Sequence, residues 1–256
     1  VTRNYVWWRN VVDTNYEKEI MKIWHISDTH TYHDLLTVPE GIDMVIFSGD
    51  CSNPRDPYNN ESEVRGFIDW FGTLPIEHKV FVAGNHDTSI EKGLVTKSDF
   101  DVAGIRYLEN THITIDGIKI FGSPLTPSFG QGWAFNKERH KLDRIWCKAI
   151  DIDCDIIVTH GPPKGILDMG IDRRNVMEFC GCKSLLNVVK TVNPKLMLFG
   201  HIHNCKDIIN AGTRTINGLD TVFSNGSVVT DGKFGILSGN GNIITLNVVT
   251  KQKKIK

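Results

Sequence analysis

This chain has no apolar run near the ~18–20 residues needed to span a membrane. Residues 1–20 also lack the apolar centre of a secretory signal, because Arg3, Arg9, Asp13, Glu17, Lys18 and Glu19 interrupt them. Excess charge of one sign is missing too. The 29 Lys and Arg stand against 30 Asp and Glu, a net charge of −1. No global positive field gathers a polyanion, so a nucleic-acid partner is not expected. Cysteine is sparse and scattered: of the 6, only Cys180 and Cys182 are close. That spacing fits neither a zinc knuckle nor a disulfide framework, so reduced thiols and a cytoplasmic setting are expected. Cys180 and Cys182 precede a predicted helix whose amino end can depress a thiol pKa, but packing is their expected role. Internal repeats and low-complexity segments are absent.

What remains is the composition of a soluble globular protein, 40% hydrophobic and 23% charged over 256 residues. The expected organisation is an N-terminal extension over 1–20, one domain over 21–250 and a basic tail over 251–256. Met21 directly precedes the first predicted strand and reads as an alternative start. Trp7 and Trp8 point the other way, since paired tryptophans usually pack on something. The tail lysines Lys251, Lys253, Lys254 and Lys256 read as a solvated terminus.

Apolar runs at 23–26, 44–47, 80–83, 156–158 and 196–199 read as short buried strands. Helical spacing predicts helices over 61–74, stopped by Pro75, over 137–149 and over 183–192. The last third predicts strands at 213–216, 219–223, 233–237 and 243–249. Asn217-Gly218, Asn225-Gly226 and Asp231-Gly232 are their expected tight turns. Together these predict an α/β protein of mixed sheets flanked by helices, with hairpins towards the C-terminus.

Polar motifs follow the strand-like runs: Asp28-Thr29-His30, Gly49-Asp50, Gly84-Asn85-His86-Asp87, Thr159-His160-Gly161 and Gly200-His201-Ile202-His203. A parallel sheet gathers the carboxyl ends of its strands on one rim, so these residues should converge. In an extended segment Asp28 and His30, two apart, point to one side. Gly49 lets the backbone turn close to a ligand. Asn85 offers a neutral carbonyl oxygen, and His86 can point elsewhere as a general acid. His201 and His203 can each serve a different ion. Taken singly, every motif also reads as a helix cap, a turn or a structural histidine. The oxygen and imidazole set as a whole suits divalent metals. Arg173-Arg174 reads as a solvated face more readily than as an anion contact.

The ordered motifs, continuing through His160-Gly161-Pro162-Pro163 to Gly200-His201-Ile202-His203, resemble the calcineurin-like metallophosphoesterase superfamily from about Lys22 to Val249. Gly122-Ser123-Pro124, Trp133-Ala134-Phe135-Asn136, Leu167-Asp168, Gly181-Cys182 and Leu185-Leu186 add likeness to its metallophosphoesterase-domain-containing branch, relatives of class III cyclic nucleotide phosphodiesterases. The resemblance implies a four-layer αββα sandwich of two mixed β-sheets flanked by helices. It implies two divalent ions, manganese before iron, zinc, nickel or cobalt. Asp28, His30, Asp50 and His203 would hold one; Asp50, Asn85, His160 and His201 would hold the other, Asp50 bridging. Some members of that branch lack the first histidine of the last motif, but this chain keeps His201. Its departure is Asn53, where phosphoprotein phosphatases carry the aspartate that orients the catalytic histidine. This counts against a protein phosphatase and leaves the partner of His86 open.

The expected activity is hydrolysis of small phosphodiesters, cyclic nucleotides included. Water activated by the ions would attack phosphorus while His86 protonates the leaving oxygen. A phosphomonoesterase or nuclease on the same site is the alternative, and a non-catalytic metal-binding scaffold stands further off. The loop 126–136 is the candidate lid or stacking wall through Phe129, Trp133 and Phe135, with Arg139 and His140 as phosphate contacts. The same aromatics also read as pins holding the loop to the core. A small phosphoester is the expected partner, a membrane is not, and a homodimer is compatible with the chain.

Overall fold

The computed structural model describes residues 16–172, 174–231 and 235–251. Trp7, Trp8, Arg173, the tail beyond Lys251 and the start of the predicted strand 233–237 lie outside these. The first half runs β1 (Tyr16–Ile26), β2 (Met44–Phe47), α1 (Pro57–Thr73), β3 (His78–Phe81), α2 (Thr88–Glu91), α3 (Lys97–Val102) and β4 (Arg106–Tyr107). Then come β5 (Thr111–Ile115), β6 (Ile118–Ser123), β7 (Thr126–Pro127), β8 (Asn136–Lys137), α4 (Arg139–Ala149) and β9 (Ile156–Thr159). The chain closes with β10 (Met169–Ile171), β11 (Met177–Phe179), α5 (Lys183–Val192), β12 (Leu196–Phe199), β13 (Gly212–Thr215), β14 (Val222–Asn225) and β15 (Asn242–Lys251).

Two mixed sheets form. One has the order β15-β1-β2-β3-β4 and the other β13-β14-β12-β9-β6-β5. In the first, β1 to β4 are parallel and β15 is antiparallel. In the second, β6, β9, β12 and β14 are parallel between antiparallel β5 and β13. Period-2 alternation explains how they stack. Met44 and Ile46, Ile156 and Val158, and Leu196 and Leu198 share one buried cluster made by both inner faces. Their neighbours Val45, Phe47, Ile157, Met197 and Phe199 turn outward into the layer that also holds Phe67, Phe71, Leu142, Trp146, Leu185 and Val189 of the helices. The Phe47 ring lies 4.4 Å from that of Phe67 and 5.4 Å from that of Phe81, centroid to centroid. Each such buried side chain contributes about 1.5–3 kcal/mol. The result is the αββα sandwich that the resemblance implied.

Differences from the sequence reading have local causes. α1 starts at Pro57, four residues before the predicted helix, because Asp56 caps it by accepting from the Tyr58 N–H at 2.9 Å and Pro57 needs no hydrogen-bond acceptor. β1 reaches back to Tyr16, opposite Lys251 of β15, so the pairing enters residues assigned to the extension and the tail. Asn225-Gly226 is no hairpin turn. Asn225 ends β14, and the chain crosses to the other sheet, with Ser27 N–H donating to the Gly226 carbonyl at 2.8 Å. Gly226 fits there because a Cβ would press into the His25 ring. Among the described residues, no helix is long and apolar enough to cross a membrane.

Candidate metal centre

The carboxyl ends of β1, β2, β9 and β12, with the turn that follows β3, converge on one rim. The backbone there is contorted. Asp28 (φ 53°), His30 (φ 43°), Asp50 (φ 62°) and His201 (φ 71°) all take the left-handed conformation, which costs an L residue roughly 1–2 kcal/mol. Asp28 and His30 therefore do not converge as neighbours in an extended segment, as the sequence suggested. The chain turns after Ser27, and Asp28 N–H bonds Gly49 O at 2.8 Å while His30 N–H bonds Asp50 O at 3.2 Å. Two glycines permit this crowding. Gly49 (φ 105°) lies so close to Gly84 and His160 that a Cβ would come 2.5 Å from the imidazole Nδ1. A Cβ on Gly200 would collide with the Ser27 and Asp28 side chains.

The metal-ligating atoms of Asp28, His30 and His203 lie within 4.8 Å of one another, as do those of Asp50, His160 and His201. A third group, His30, Asp50 and His86, joins the two within the same distance. Asn85 Oδ1 lies 2.9 Å from His160 Nε2, and Asp50 Oδ2 lies 3.2 Å from it. The strand ends thus bring together Asp28, His30, Asp50, Asn85, His86, His160, His201 and His203.

Hydrogen bonds to carbonyl oxygens fix which nitrogens face inward. His30 Nδ1–H donates to Ser52 O at 3.0 Å and His160 Nδ1–H to Ser48 O at 2.8 Å. A carbonyl can only accept, so in the neutral ring each Nε2 carries the lone pair and faces the cluster. His203 presents Nε2 to Asp28 Oδ1 at 3.1 Å, with Asp231 3.5 Å from Nδ1. Charge follows burial and neighbours. Burial lowers His30 to about 4 and His201 to about 3. Burial would lower His160 as well, but the Asp50 and Asp28 carboxylates outweigh it and raise the group to about 9. Burial would raise Asp50, yet His160, His86 and His30 hold it well below the usual carboxylate range.

His86 is half-buried, its ring 4.7 Å from that of His30. Its Nδ1–H donates to the main-chain carbonyl of Asn53 at 2.9 Å. The partner left open by the missing aspartate is therefore a neutral backbone oxygen.

The remaining expected contacts divide. Trp133 stands 4.5 Å from the His86 ring and Phe129 5.0 Å from the His201 ring, so both border the cluster. Phe135 does not face it; the residue is buried in the core, and Phe135 N–H bonds Glu91 at 2.8 Å. Arg139 is spent on the carbonyls of Cys180 and Gly181, at 2.9 and 3.0 Å, and His140 is exposed beside Glu138. Neither is brought to the cluster. The loop is docked rather than free, since Ala134 N–H bonds Asn85 O at 3.0 Å. All six cysteines are free, and burial raises the Cys180 thiol pKa.

Sequence reasoning missed the supports beneath. Buried Asp87 accepts from the N–H groups of Asp50 (3.0 Å), Cys51 (3.1 Å) and Gly84 (2.7 Å), and from Ser52 Oγ (2.8 Å). It sews the Asp50 loop to the Asn85-His86 loop. Asn60, on the buried face of α1, donates to His86 O at 2.9 Å and to Ser52 Oγ at 2.7 Å. A polar residue on the stripe that carries Val64, Phe67, Ile68 and Phe71 was its sequence signal. His25 bridges the sheets between Ser224 Oγ (2.7 Å) and Ser48 Oγ (3.0 Å), and burial holds it neutral at about 3. Arg55 lies 3.7 Å over the Trp133 ring.

Hard oxygen donors and oriented imidazoles, with Asp50 common to two of the groups, fit divalent transition metals. A half-buried histidine committed only through Nδ1 stands beside them. Such an arrangement defines the class of metal-dependent hydrolases. Comparison with known proteins narrows the class. The family model described as calcineurin-like phosphoesterase matches residues 21–205, and the chain belongs to that family. It is 35% identical over 213 residues to metallophosphoesterase domain-containing protein 1 of Homo sapiens, which aligns over 74% of this chain and 63% of the human protein. The chain thus spans less than two thirds of that relative. A UPF0046 protein of Caenorhabditis elegans is 31% identical over 231 residues, covering 81% of this chain and 75% of its own. A solved crystal structure superposes at TM-score 0.61 with 13% identity, over 92% of this chain and 100% of its own, which shows the fold.

Proposed function

We propose that this protein is a metal-dependent phosphodiesterase acting on small diesters, cyclic nucleotides included. The observation that carries the proposal is the meeting of two donor groups, Asp28-His30-His203 and Asp50-His160-His201, beside His86. Asp28, His30, Asp50 and His203 would hold one divalent ion, and Asp50, Asn85, His160 and His201 the other. When bound, such ions supply Lewis acidity toward phosphoryl oxygens and make water acidic enough to be a nucleophile near neutral pH.

The chain's own residues do the rest. His86 Nε2, free of the Asn53 bond, donates a proton to the leaving oxygen. The carbonyls of Ser48 and Ser52 take the Nδ1 protons of His160 and His30, so that each ring, once neutral, turns the Nε2 lone pair to the cluster. Trp133 and Phe129 flank the cluster with flat apolar surface, which suits the second ester group of a diester. Manganese is the proposed native ion, and six free thiols favour a cytoplasmic setting. A small phosphoester is the proposed partner, and the net charge of −1 supports no polyanion groove.

The test is initial rates on an aryl phosphodiester and its matching monoester, with manganese-loaded protein and Asp50→Ala as control. Diester preference that vanishes in the control is the expected result. Monoester preference would move the protein to the phosphatases. No metal-dependent turnover on either would overturn the reading, as would full activity in a folded Asp50→Ala variant.

A further inference from the structure

Among the described residues no side-chain carboxylate hydrogen-bonds the His86 ring, yet the ring is held. Three contacts fix the carbonyl that holds it. The Asn53 side-chain Nδ2–H donates to the main-chain oxygen of His30 at 2.9 Å, tying Asn53 to the neighbouring ligand loop. Asn53 N–H donates to Glu63 Oε2 of α1 at 2.8 Å. Pro54 follows, and its ring confines the preceding residue to extended backbone, which restricts where the Asn53 carbonyl can aim. Pro54 is itself anchored, its carbonyl accepting from Asn60 Nδ2 at 3.0 Å. The Asn53 carbonyl is an acceptor only, so the neutral imidazole is fixed with its proton on Nδ1 and its lone pair on Nε2.

We propose that Asn53 is the positioning residue for the proton-donating His86. It aims the imidazole with its main-chain carbonyl and locks that carbonyl with its side-chain amide, where a carboxylate dyad would use a charge. The step it serves is ordinary hydrolysis. A water oxygen that gives up one proton to solvent bonds to phosphorus, the bond from phosphorus to the leaving oxygen breaks, and that oxygen takes the proton from Nε2 of protonated His86. His86 then holds its remaining proton on Nδ1, against Asn53, and regains the other from water. An aspartate here would add a negative charge beside the cluster and remove the amide donor to His30. Asn53 keeps the aim of the dyad without the charge.

This inference rests on the assignment of His86 as proton donor, and the experiment separates the two. Full-length manganese-loaded protein is assayed on aryl and alkyl diesters of graded leaving-group pKa. The variants are Asn53→Ala, His86→Ala and the double variant. Removing a general acid costs about 10²–10⁴-fold, and most where the leaving group is a poor one. His86→Ala should steepen the fall of kcat with leaving-group pKa. Asn53→Ala should steepen it in the same sense, by roughly tenfold on the alkyl ester. The double variant should match His86→Ala, because a positioning residue has nothing left to position.

Nitrogen-15 NMR of the histidine rings in zinc-loaded protein gives a readout independent of turnover. The neutral His86 ring should be the Nδ1–H tautomer in the parent and a mixture in Asn53→Ala. Losses that multiply in the double variant, or an unchanged tautomer, would overturn the role of Asn53. An unaltered slope in His86→Ala would instead overturn His86 as the donor, while the tautomer still decides whether Asn53 orients the ring. If Asn53→Ala does not fold, Pro54→Ala loosens the same carbonyl and must show the same steepening.

Discussion

Removing the Asp87 carboxylate should cost this protein more stability than any surface change. In Asp87→Ala the N–H groups of Asp50, Cys51 and Gly84, bonded at 2.7–3.1 Å, lose their acceptor together in a region closed to solvent. A buried donor left unsatisfied costs about 1–3 kcal/mol, so three amount to roughly 3–9 kcal/mol. Two effects pull the sum towards its lower end. Water can enter the space left by the side chain, and repulsion with Asp50 is relieved. That repulsion, after burial, is what raises the pKa of Asp87. The expected loss is therefore about 3–5 kcal/mol. Asp87→Asn, which keeps one acceptor oxygen, should lose about half as much. Urea unfolding measures both, as a lower midpoint at unchanged slope. A loss below about 1 kcal/mol for Asp87→Ala would refute the reasoning, since it would mean that the three donors do not depend on this carboxylate.

His160 should make metal uptake depend on pH. Its pKa, raised to about 9 against 6.5, means that a metal must displace a proton at pH 7.5. Calorimetry in buffers of different ionisation enthalpy should show about one proton released per His160 and tighter binding as pH rises towards 9. In chelated protein the same raised pKa gives stabilisation that is full below about 6.5 and lost as pH rises through about 9, readable as a falling Tm. Gly200→Ala should cost roughly 1–3 kcal/mol from overpacking against Ser27 and Asp28, together with weaker metal retention; a parent-like Tm and metal content would contradict the crowding. Asn85→Ala, measured by bound metal per chain and by turnover, should lower both, and undiminished turnover in a folded variant would remove Asn85 from the site.

Much of the fold was legible because strand burial is written in short apolar runs. Residues 44–47 and 196–199 are strands over those same limits, and the helix at 183–192 agrees at both ends. Boundaries failed where the deciding interaction was not periodic. The Asp56 cap and Pro57 start α1 without an apolar residue to mark it, and β8 takes Lys137, the first position predicted for α4. Asn225-Gly226 carries the chemistry of a hairpin turn, yet the sheet-to-sheet crossing uses its glycine to make room for His25. Local propensity does not encode what packs above a residue.

The sequence by itself determined the residue types at the candidate site and their order, because each motif must follow a strand and each strand needs its apolar run. It also determined the missing charge at Asn53. Only the tertiary structure decided which atoms meet. The left-handed turns at Asp28, His30, Asp50 and His201 aim the ligand set, and no spacing rule predicts them. The Asn53 carbonyl that replaces a carboxylate is a main-chain atom, present at every position and therefore invisible in sequence. The same holds for the split within the loop 126–136, where Phe129 and Trp133 border the cluster and Phe135 enters the core. Backbone direction separates those three rings, and bonds from Ala134 to Asn85 and from Phe135 to Glu91, both remote in sequence, hold it.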